Sequence, residues 1–246
     1  HQTLKQKPGI HENERKVNFK SLILDALEEC MDISLDNMPK IAGKTMALTD
    51  NSGSAWGTIP TEYGSIKVAE IDNLSAVIVA MLSDEGYVGV FGDRLKVVPI
   101  KKRDGVLSQM KAINEKGQTV GGATENGIWL FWDEAIKNAE HWDNVFIYSD
   151  MQAGHGGLYG INPKDYVQYS CGHSAYIDVI KMVNTYRSKI FSKVNVFSIQ
   201  TAGYTNVVLP EYAYRTNVIY GWTGKEAIFA DTMIRFWNQK ELNQKT

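Results

Sequence analysis

The feature that most restricts the fold of this chain is a series of short, almost wholly apolar segments separated by segments with helical periodicity. Asn144–Asp150 reads NVFIYSD, and Lys193–Ile199 reads KVNVFSI. Strands of this kind must be covered on both faces, which is typical of parallel sheets flanked by helices. The alternation therefore predicts an α/β, doubly wound domain with a mostly parallel central sheet and helices on both faces.

Hydrophobic periodicity places the individual elements along the chain. The predicted strands are Lys44–Thr49, Tyr87–Phe91, an edge strand Leu95–Ile100, Asn144–Asp150, Lys193–Ile199 and Thr216–Tyr220. The first predicted helix begins at Val17. Four more helices are predicted at Ser65–Ser83, Asp104–Lys116 (with Asp104 as its N-cap), Glu125–Glu140 and Ser174–Phe191. The last predicted helix begins at Thr223–Lys225 and reaches Gln239. The first helix has Phe19, Leu22, Ile23, Ala26, Leu27 and Cys30 at helical spacing, which predicts that Cys30 belongs to the core. We expect a flexible arm over residues 1–16, one domain over 17–240 and a tail over 241–246.

Composition excludes several classes of protein. With 246 residues, of which 43% are hydrophobic, the chain can bury a core and is not disordered. A net charge of −2 argues against a whole-surface electrostatic grip on nucleic acid. The longest apolar run, Ala76–Leu82, is too short to span a bilayer, and the polar N-terminus lacks a signal peptide. Together with only two cysteines, these features lead us to expect a cytoplasmic location without membrane contact.

Oxygen-bearing side chains follow several predicted strands. Asp50, Ser52 and Ser54 come after the first strand, Thr124 lies in the loop before the fourth helix, and Asp150 ends a buried strand. Ligands bind outside the carboxyl ends of the strands in such sheets, and oxygen ligands suit hard divalent cations. A tight turn at Gly53 would let the two serines face the same point. The sequence thus predicts a Mg²⁺ site, with Mn²⁺ or Ca²⁺ as alternatives.

Three loops of the chain, ALTDNSGSAWG, GGATENG and FIYSDMQAG, resemble the loops of the von Willebrand factor A domain. The metal ion-dependent adhesion site (MIDAS) of that family uses D-x-S-x-S, Thr and Asp. The closing segment NVIYGWTGKEAIFADTMIRFW and the helix before the first strand are most similar to the A-type domain of Ro autoantigen (TROVE) proteins. The resemblance covers about residues 17–240 and implies a Rossmann-like fold.

The resemblance also implies roles for single residues. Ser52, Ser54 and Thr124 would bind the ion directly, whereas Asp50 and Asp150 would bind it directly or through water. An acidic residue of a protein partner would complete the coordination. The resemblance also implies RNA as a partner, either directly or through a Ro-like ribonucleoprotein. In Ro proteins a helical-repeat ring binds RNA, and nothing in this sequence resembles that ring, which argues against RNA binding by this chain alone.

Three residues near the loops form a predicted partner-binding rim, namely Trp56, Glu125 and His155. For Glu125 a favourable interaction with a helix N-terminus is the alternative interpretation. The basic residues Lys96, Lys101, Lys102 and Arg103 are typical of a solvated face or a protected sheet edge, and phosphate contacts by Lys101, Lys102 and Arg103 are the other interpretation. For Trp129, Trp132, Trp142, Trp222 and Trp237 we expect packing roles.

Other motifs lack the spacing that their chemistry needs. His155, Cys171 and His173 do not have the paired spacing of structural zinc sites. Gly43-Lys44-Thr45 resembles the end of a phosphate-binding loop, but it precedes a strand and Met38 stands where the first glycine belongs. The segment AGHGGLYG lacks the third glycine of a dinucleotide fingerprint, because Tyr159 occupies that position.

We therefore expect a non-enzymatic, cation-dependent recognition domain. One alternative is a Mg²⁺-dependent phosphohydrolase that uses Asp50 as nucleophile, although such enzymes carry a second acid where this chain has Ser52. The other alternative is a structural subunit of a larger assembly.

Overall fold

The computed structural model describes residues 19–62, 64–122, 127–150, 168–169, 177–201, 209–211 and 213–244. Among them the helices are α1 (Phe19–Asp36), α2 (Val68–Leu82), α3 (Val106–Gly117), α4 (Gly127–Lys137), α5 (Val179–Lys189) and α6 (Glu226–Asn243). The strands are β1 (Ile41–Asp50), β2 (Thr58–Thr61), β3 (Gly64–Lys67), β4 (Ser83–Phe91), β5 (Leu95–Pro99), β6 (Asn144–Ser149), β7 (Asn195–Gln200) and β8 (Thr216–Tyr220).

Six of these strands form one sheet in the order β5-β4-β1-β6-β7-β8. All neighbours pair in parallel except β4 and β5. The strand β5 is the edge strand that the sequence predicts, and the structure shows that it is antiparallel. After β1 the chain builds β4 and β5 on one side and then β6, β7 and β8 on the other. The order in which successive strands are added to the sheet therefore reverses between β1 and β6. In folds of this class, ligands bind at the carboxyl ends of the strands where this order reverses. The strands β2 and β3 form a separate hairpin.

Both faces of the sheet are buried, and the predicted fold class is confirmed. On one face α4 and α5 pack against a cluster that includes Met46, Leu48 and Ile147. On the other face α2, α3 and α6 pack against a cluster that includes Ala47, Phe146 and Phe197. Because successive side chains of a strand point to opposite faces, the apolar run in each central strand supplies both clusters.

Several element boundaries differ from the predictions. The predicted helix over Ser65–Ser83 begins at Val68, because the residues before it form the hairpin strand β3. Asp104 is not the N-cap of α3: that position is Gly105, which has no side chain to cap the helix. The helix α4 ends at Lys137, and soon after it Ala139 adopts a left-handed conformation with φ of 52°.

The last two helices also differ from their predicted bounds. Asp178 caps α5 by accepting a hydrogen bond from the Lys181 N–H, so this helix begins at Val179 rather than at Ser174. The helix α6 continues to Asn243, beyond its predicted end at Gln239. Its last turns are held by Glu241, which accepts hydrogen bonds from Arg215 and Tyr214.

The prediction that Cys30 lies in the core is wrong, because Cys30 is exposed on α1. The tryptophan predictions hold for Trp129, Trp132 and Trp142, which are buried, and Trp237 stacks on Phe197 with ring centroids 5.6 Å apart. Trp222 is instead 44% exposed. Within the described part of the chain, no helix combines the length and the apolar character that crossing a bilayer requires.

Candidate cation site at the carboxyl edge of the sheet

The loops that follow β1 and β6 meet where the order of strand addition reverses. Asp50 is the last residue of β1, and Asp150 directly follows β6, its parallel neighbour. Both carboxyl groups are buried, since Asp50 is 0% and Asp150 1% exposed. Parallel pairing therefore brings together two acids that are a hundred positions apart in the sequence.

The turn after β1 curls back over the end of the strand, as the spacing of the motif predicts. The Asp50 carboxyl accepts hydrogen bonds from the Ser52 N–H (2.9 Å) and from the Ser149 hydroxyl (2.7 Å). The hydroxyl oxygens of Ser52 and Ser54 lie 3.1 Å apart, and Ser54 donates a hydrogen bond of 2.8 Å to Asp150. The structure thus brings four of the five predicted ligands into one hydrogen-bonded cluster.

The fifth predicted ligand, Thr124, lies outside the described residues, as do Glu125 and His155 of the predicted rim. The described part of the Thr124 loop does reach the site: the Gly53 N–H donates a 2.8 Å hydrogen bond to the carbonyl of Gly122. Gly122 precedes Thr124 by two positions in the sequence. The zinc interpretation of His155, Cys171 and His173 also concerns residues that the structure does not describe.

The site holds several buried acidic groups. Burial, followed by the nearby charge of Asp150, raises the pKa of Asp50 to about 7. A third acid, Asp72 of α2, is fully buried, and burial together with the charge of Asp50 raises its pKa well above the ordinary value. The Asp72 carboxyl accepts a hydrogen bond from Thr201, while its Oδ1 lies buried without a hydrogen-bond partner. Buried carboxyl groups that repel each other in this way favour a cation in their midst.

A network of buried amides holds the loop after β1, and sequence reasoning missed it. Asn73 of α2 accepts hydrogen bonds from Thr49 (2.7 Å) and from Asn51 (2.9 Å), and it donates one back to Asn51 (3.0 Å). It also donates a hydrogen bond to Asn114 of α3. These side chains flank Asp50 and tie its loop to two helices. The only sequence signal was the run of polar residues within the otherwise apolar α2 helix.

Trp56 lies beside the site but is only partly exposed. Its indole N–H donates a hydrogen bond of 3.2 Å to the Asn51 carbonyl, and Lys67 lies 5.4 Å from its ring centre. The ring lines an open groove of about 490 Å³ together with Gly53 and Gly122. The prediction that Trp56 contacts a partner stays a prediction, with the groove as its location.

The structure separates the basic cluster from the candidate site. Lys101, Lys102 and Arg103 are exposed and follow β5, which runs antiparallel to β4. They therefore lie at the amino edge of the sheet, opposite Asp50. Lys96 lies toward the carboxyl edge, where its ammonium donates a hydrogen bond to Thr119. The segment Gly43–Thr45 lies inside β1, which is incompatible with a phosphate-binding loop.

The donor set fits a hard cation of the magnesium type. Across the part of the chain that the structure describes, no three His, Cys, Asp or Glu side chains are grouped so that they could share an ion. The cluster instead offers hydroxyl oxygens with two carboxylates. Octahedral Mg²⁺ has ligands at about 2.0–2.1 Å, which places adjacent ligand oxygens roughly 3 Å apart. The Ser52–Ser54 and Ser54–Asp150 oxygen distances of 3.1 and 2.8 Å match that spacing.

Comparison with known proteins bears on the fold. No protein-family model matches the sequence, and no curated protein matches it significantly. Among solved structures, the crystal structure of the Ro (RSR) protein of Deinococcus radiodurans is similar, with a TM-score of 0.63 and 12% sequence identity over 88% of this chain. The match covers 39% of that protein, so this chain spans less than half of its length. The chain therefore has the Ro-like von Willebrand factor A fold that the loop motifs imply.

Proposed function

We propose that this chain is a non-enzymatic recognition domain that binds a divalent cation, with Mg²⁺ as the first choice, and through it an acidic group of a protein partner. Ser52, Ser54, Thr124 and Asp150 are the proposed direct ligands. Asp50 holds the turn and contributes its charge directly or through a bound water.

One observation carries the proposal. Three side-chain oxygens from two different loops lie at the oxygen–oxygen distances that are expected between adjacent ligands of an octahedral ion. Ser52, Ser54 and Asp150 are joined by hydrogen bonds of 3.1 and 2.8 Å. An ion at this point would replace these hydrogen bonds. It also compensates the repulsion between two buried carboxyl groups, which supports binding of a dication over a neutral ligand.

The ligand set also supports a role in recognition. Both oxygens of Asp50 already accept hydrogen bonds, from Ser52 and Ser149. Asp150 is then the main anionic ligand, and a dication bound mostly by hydroxyls keeps net positive charge. Such an ion attracts an external carboxylate to its remaining coordination position. Trp56 and its groove would contact the polypeptide that carries this carboxylate.

Calorimetric titration of the full chain with MgCl₂ tests the cation site. We expect the Ser54→Ala variant to lose at least tenfold in affinity, since it removes the hydroxyl that lies between Ser52 and Asp150. The matched control Glu85→Gln removes an exposed carboxylate at the opposite edge of the sheet and should bind as the wild type does. Equal affinity in all three proteins would refute the site.

The enzymatic alternative has a separate test. Turnover of an aryl phosphate in the presence of Mg²⁺ that disappears in Asp50→Asn would favour a phosphohydrolase. We expect no turnover, because Ser52 stands where such an enzyme needs a second acid to protonate the leaving group.

We place the domain in a Ro-like ribonucleoprotein of the cytoplasm, on the strength of its fold similarity to the Deinococcus Ro (RSR) protein. RNA would be held by other parts of that complex, or it would bind this domain directly through Lys101, Lys102 and Arg103. These three side chains are exposed and therefore accessible to phosphates. Copurification with and without EDTA, followed by RNA and peptide analysis, separates metal-bridged partners from the others. If the same partners stay bound in EDTA, metal bridging is excluded.

A further inference from the structure

The helix α1 presents an apolar seam to the outside of the domain. The seam consists of Phe19, Ile23, Ala26, Cys30 and Ile33, which are all exposed, Phe19 by 72% and Ile23 by 59%. Their spacing alternates between four and three residues. This is the repeat by which one helix packs against another in a coiled coil, with the seam residues at the a and d positions.

Residues outside the seam hold the C-terminal half of α1 on the domain, whereas Leu24 and Leu27 in its N-terminal half are also exposed. Leu35 is buried, and Met31 packs against the core beneath α2 and α3. The Glu28 carboxylate accepts a hydrogen bond of 2.8 Å from the Leu107 N–H at the start of α3. The outward position of the seam is therefore fixed by these contacts. The helix cannot bury its seam by rolling over without breaking them.

The charges beside the seam are nearly all negative. The helix carries five acidic residues and one lysine. Asp25, Glu29, Asp32 and Asp36 lie on one flank of the seam, and all four are exposed. Lys40 lies 3.9 Å from Asp36 at the end of this row. Like charges along facing flanks disfavour pairing, whereas opposite charges select a partner. The acidic flank thus disfavours a second copy of α1, an anionic membrane and nucleic acid.

We propose that this seam docks a helix of another polypeptide segment, one with an apolar stripe flanked by Lys or Arg. The occupant pairs alongside α1, and its basic residues face Asp25, Glu29 and Asp32. This surface is separate from the cation site, since α1 is anchored at the amino edge of the sheet, where Leu35 packs beside Ile41 at the start of β1.

A synthetic peptide of three heptads, with Ile and Leu at the a and d positions and Lys on both flanks, tests the proposal by fluorescence anisotropy with the full chain. We expect saturable binding that is equal in Mg²⁺ and in EDTA and that weakens at high salt. The same peptide with Glu on its flanks should bind at least tenfold more weakly. Ile23→Asp in the protein should reduce binding at least tenfold. The matched control Leu242→Asp changes a residue of α6 that is 66% exposed and should leave binding unchanged.

Cys30 provides a second readout, because it lies within the seam. In a glutathione redox buffer, a peptide with one cysteine at the facing position should form a disulfide with Cys30, with oxidised glutathione as the two-electron oxidant, as peptide mass mapping would show. Equal binding of the Lys and Glu peptides, or binding insensitive to Ile23→Asp, would overturn the proposal. It would also fail if the chain alone formed a Cys30–Cys30 disulfide dimer, or if anionic vesicles bound the seam in place of the basic peptide.

Discussion

Replacing Asp50 by Asn should change how the stability of the cation-free domain depends on pH. Burial and the charge of Asp150 raise the pKa of Asp50 from 3.8 to about 7 in the folded chain. Between these two values the folded state binds the proton that the unfolded state has already lost. The free energy of unfolding of the wild type therefore falls as pH rises from about 4 to about 7, and it levels off above the folded pKa. Asn has no proton to lose, and its one amide oxygen keeps the hydrogen bond from the Ser52 N–H, whereas its NH₂ group faces the Ser149 hydroxyl.

The magnitude follows from the two pKa values. A shift of one pKa unit corresponds to about 1.4 kcal/mol, so Asp50 should lower wild-type stability by roughly 2–3 kcal/mol between pH 5 and pH 8, relative to Asp50→Asn. Urea denaturation in EDTA at both pH values measures this difference. Saturating Mg²⁺ should restore wild-type stability at pH 8 and should stabilise the variant less, because the variant lacks the Asp50 charge. Parallel pH dependences of the two proteins would refute the assignment of a buried, cation-seeking carboxyl group.

Two further substitutions test how the site is supported. Asn73→Ala removes the acceptor of the buried hydrogen bonds from Thr49 and Asn51, and it should lower the free energy of unfolding by about 2–4 kcal/mol in urea denaturation. The control Asn138→Ala changes an exposed residue, and its free energy of unfolding should stay within about 0.5 kcal/mol of the wild-type value. Gly127→Ala places a methyl group against the ring of a buried phenylalanine in β4 and should cost about 2 kcal/mol or more in thermal denaturation. Gly122→Ala, where a Cβ meets open space, is its control. Equal losses of stability in Asn73→Ala and Asn138→Ala would contradict the buried amide network, and equal losses in Gly127→Ala and Gly122→Ala would contradict the close packing of Gly127.

The sequence was sufficient for the central strands and for placing four of the predicted site residues at one edge of the sheet. The strands from Asn144 and from Asn195 are buried on both faces, so each has an apolar run with polar residues mainly at its ends, and this run is enough to find it in the sequence. Asp50 and Asp150 were predictable because a strand end fixes where the following side chain lies. In a parallel sheet, two such ends necessarily meet at one edge.

The remaining features depend on contacts that a linear pattern does not contain. The hydrogen bonds between Asn51 and Asn73 join a loop to a helix twenty-two positions away, and either residue alone is an ordinary surface type. The hairpin formed by β2 and β3 has weakly apolar strands, so its last residues read as part of the next helix. The periodicity of α1 correctly predicts a helix, but it does not tell which surface the apolar side meets. This is why Cys30 was assigned to the core of the domain.

The charges of the two proposed surfaces are opposite, and this has a consequence for assembly. A cation held by Asp150 and the two serines would attract an acidic group at the carboxyl edge, whereas the row from Asp25 to Asp36 would attract a basic helix near the amino edge. The two proposed partners would therefore differ in charge and reach the domain from different sides. Sites so far apart that share no partner side chains act nearly additively. Ser54→Ala and Ile23→Asp should consequently each abolish one interaction and leave the other intact, and the double variant should lose both without additional destabilisation of the fold.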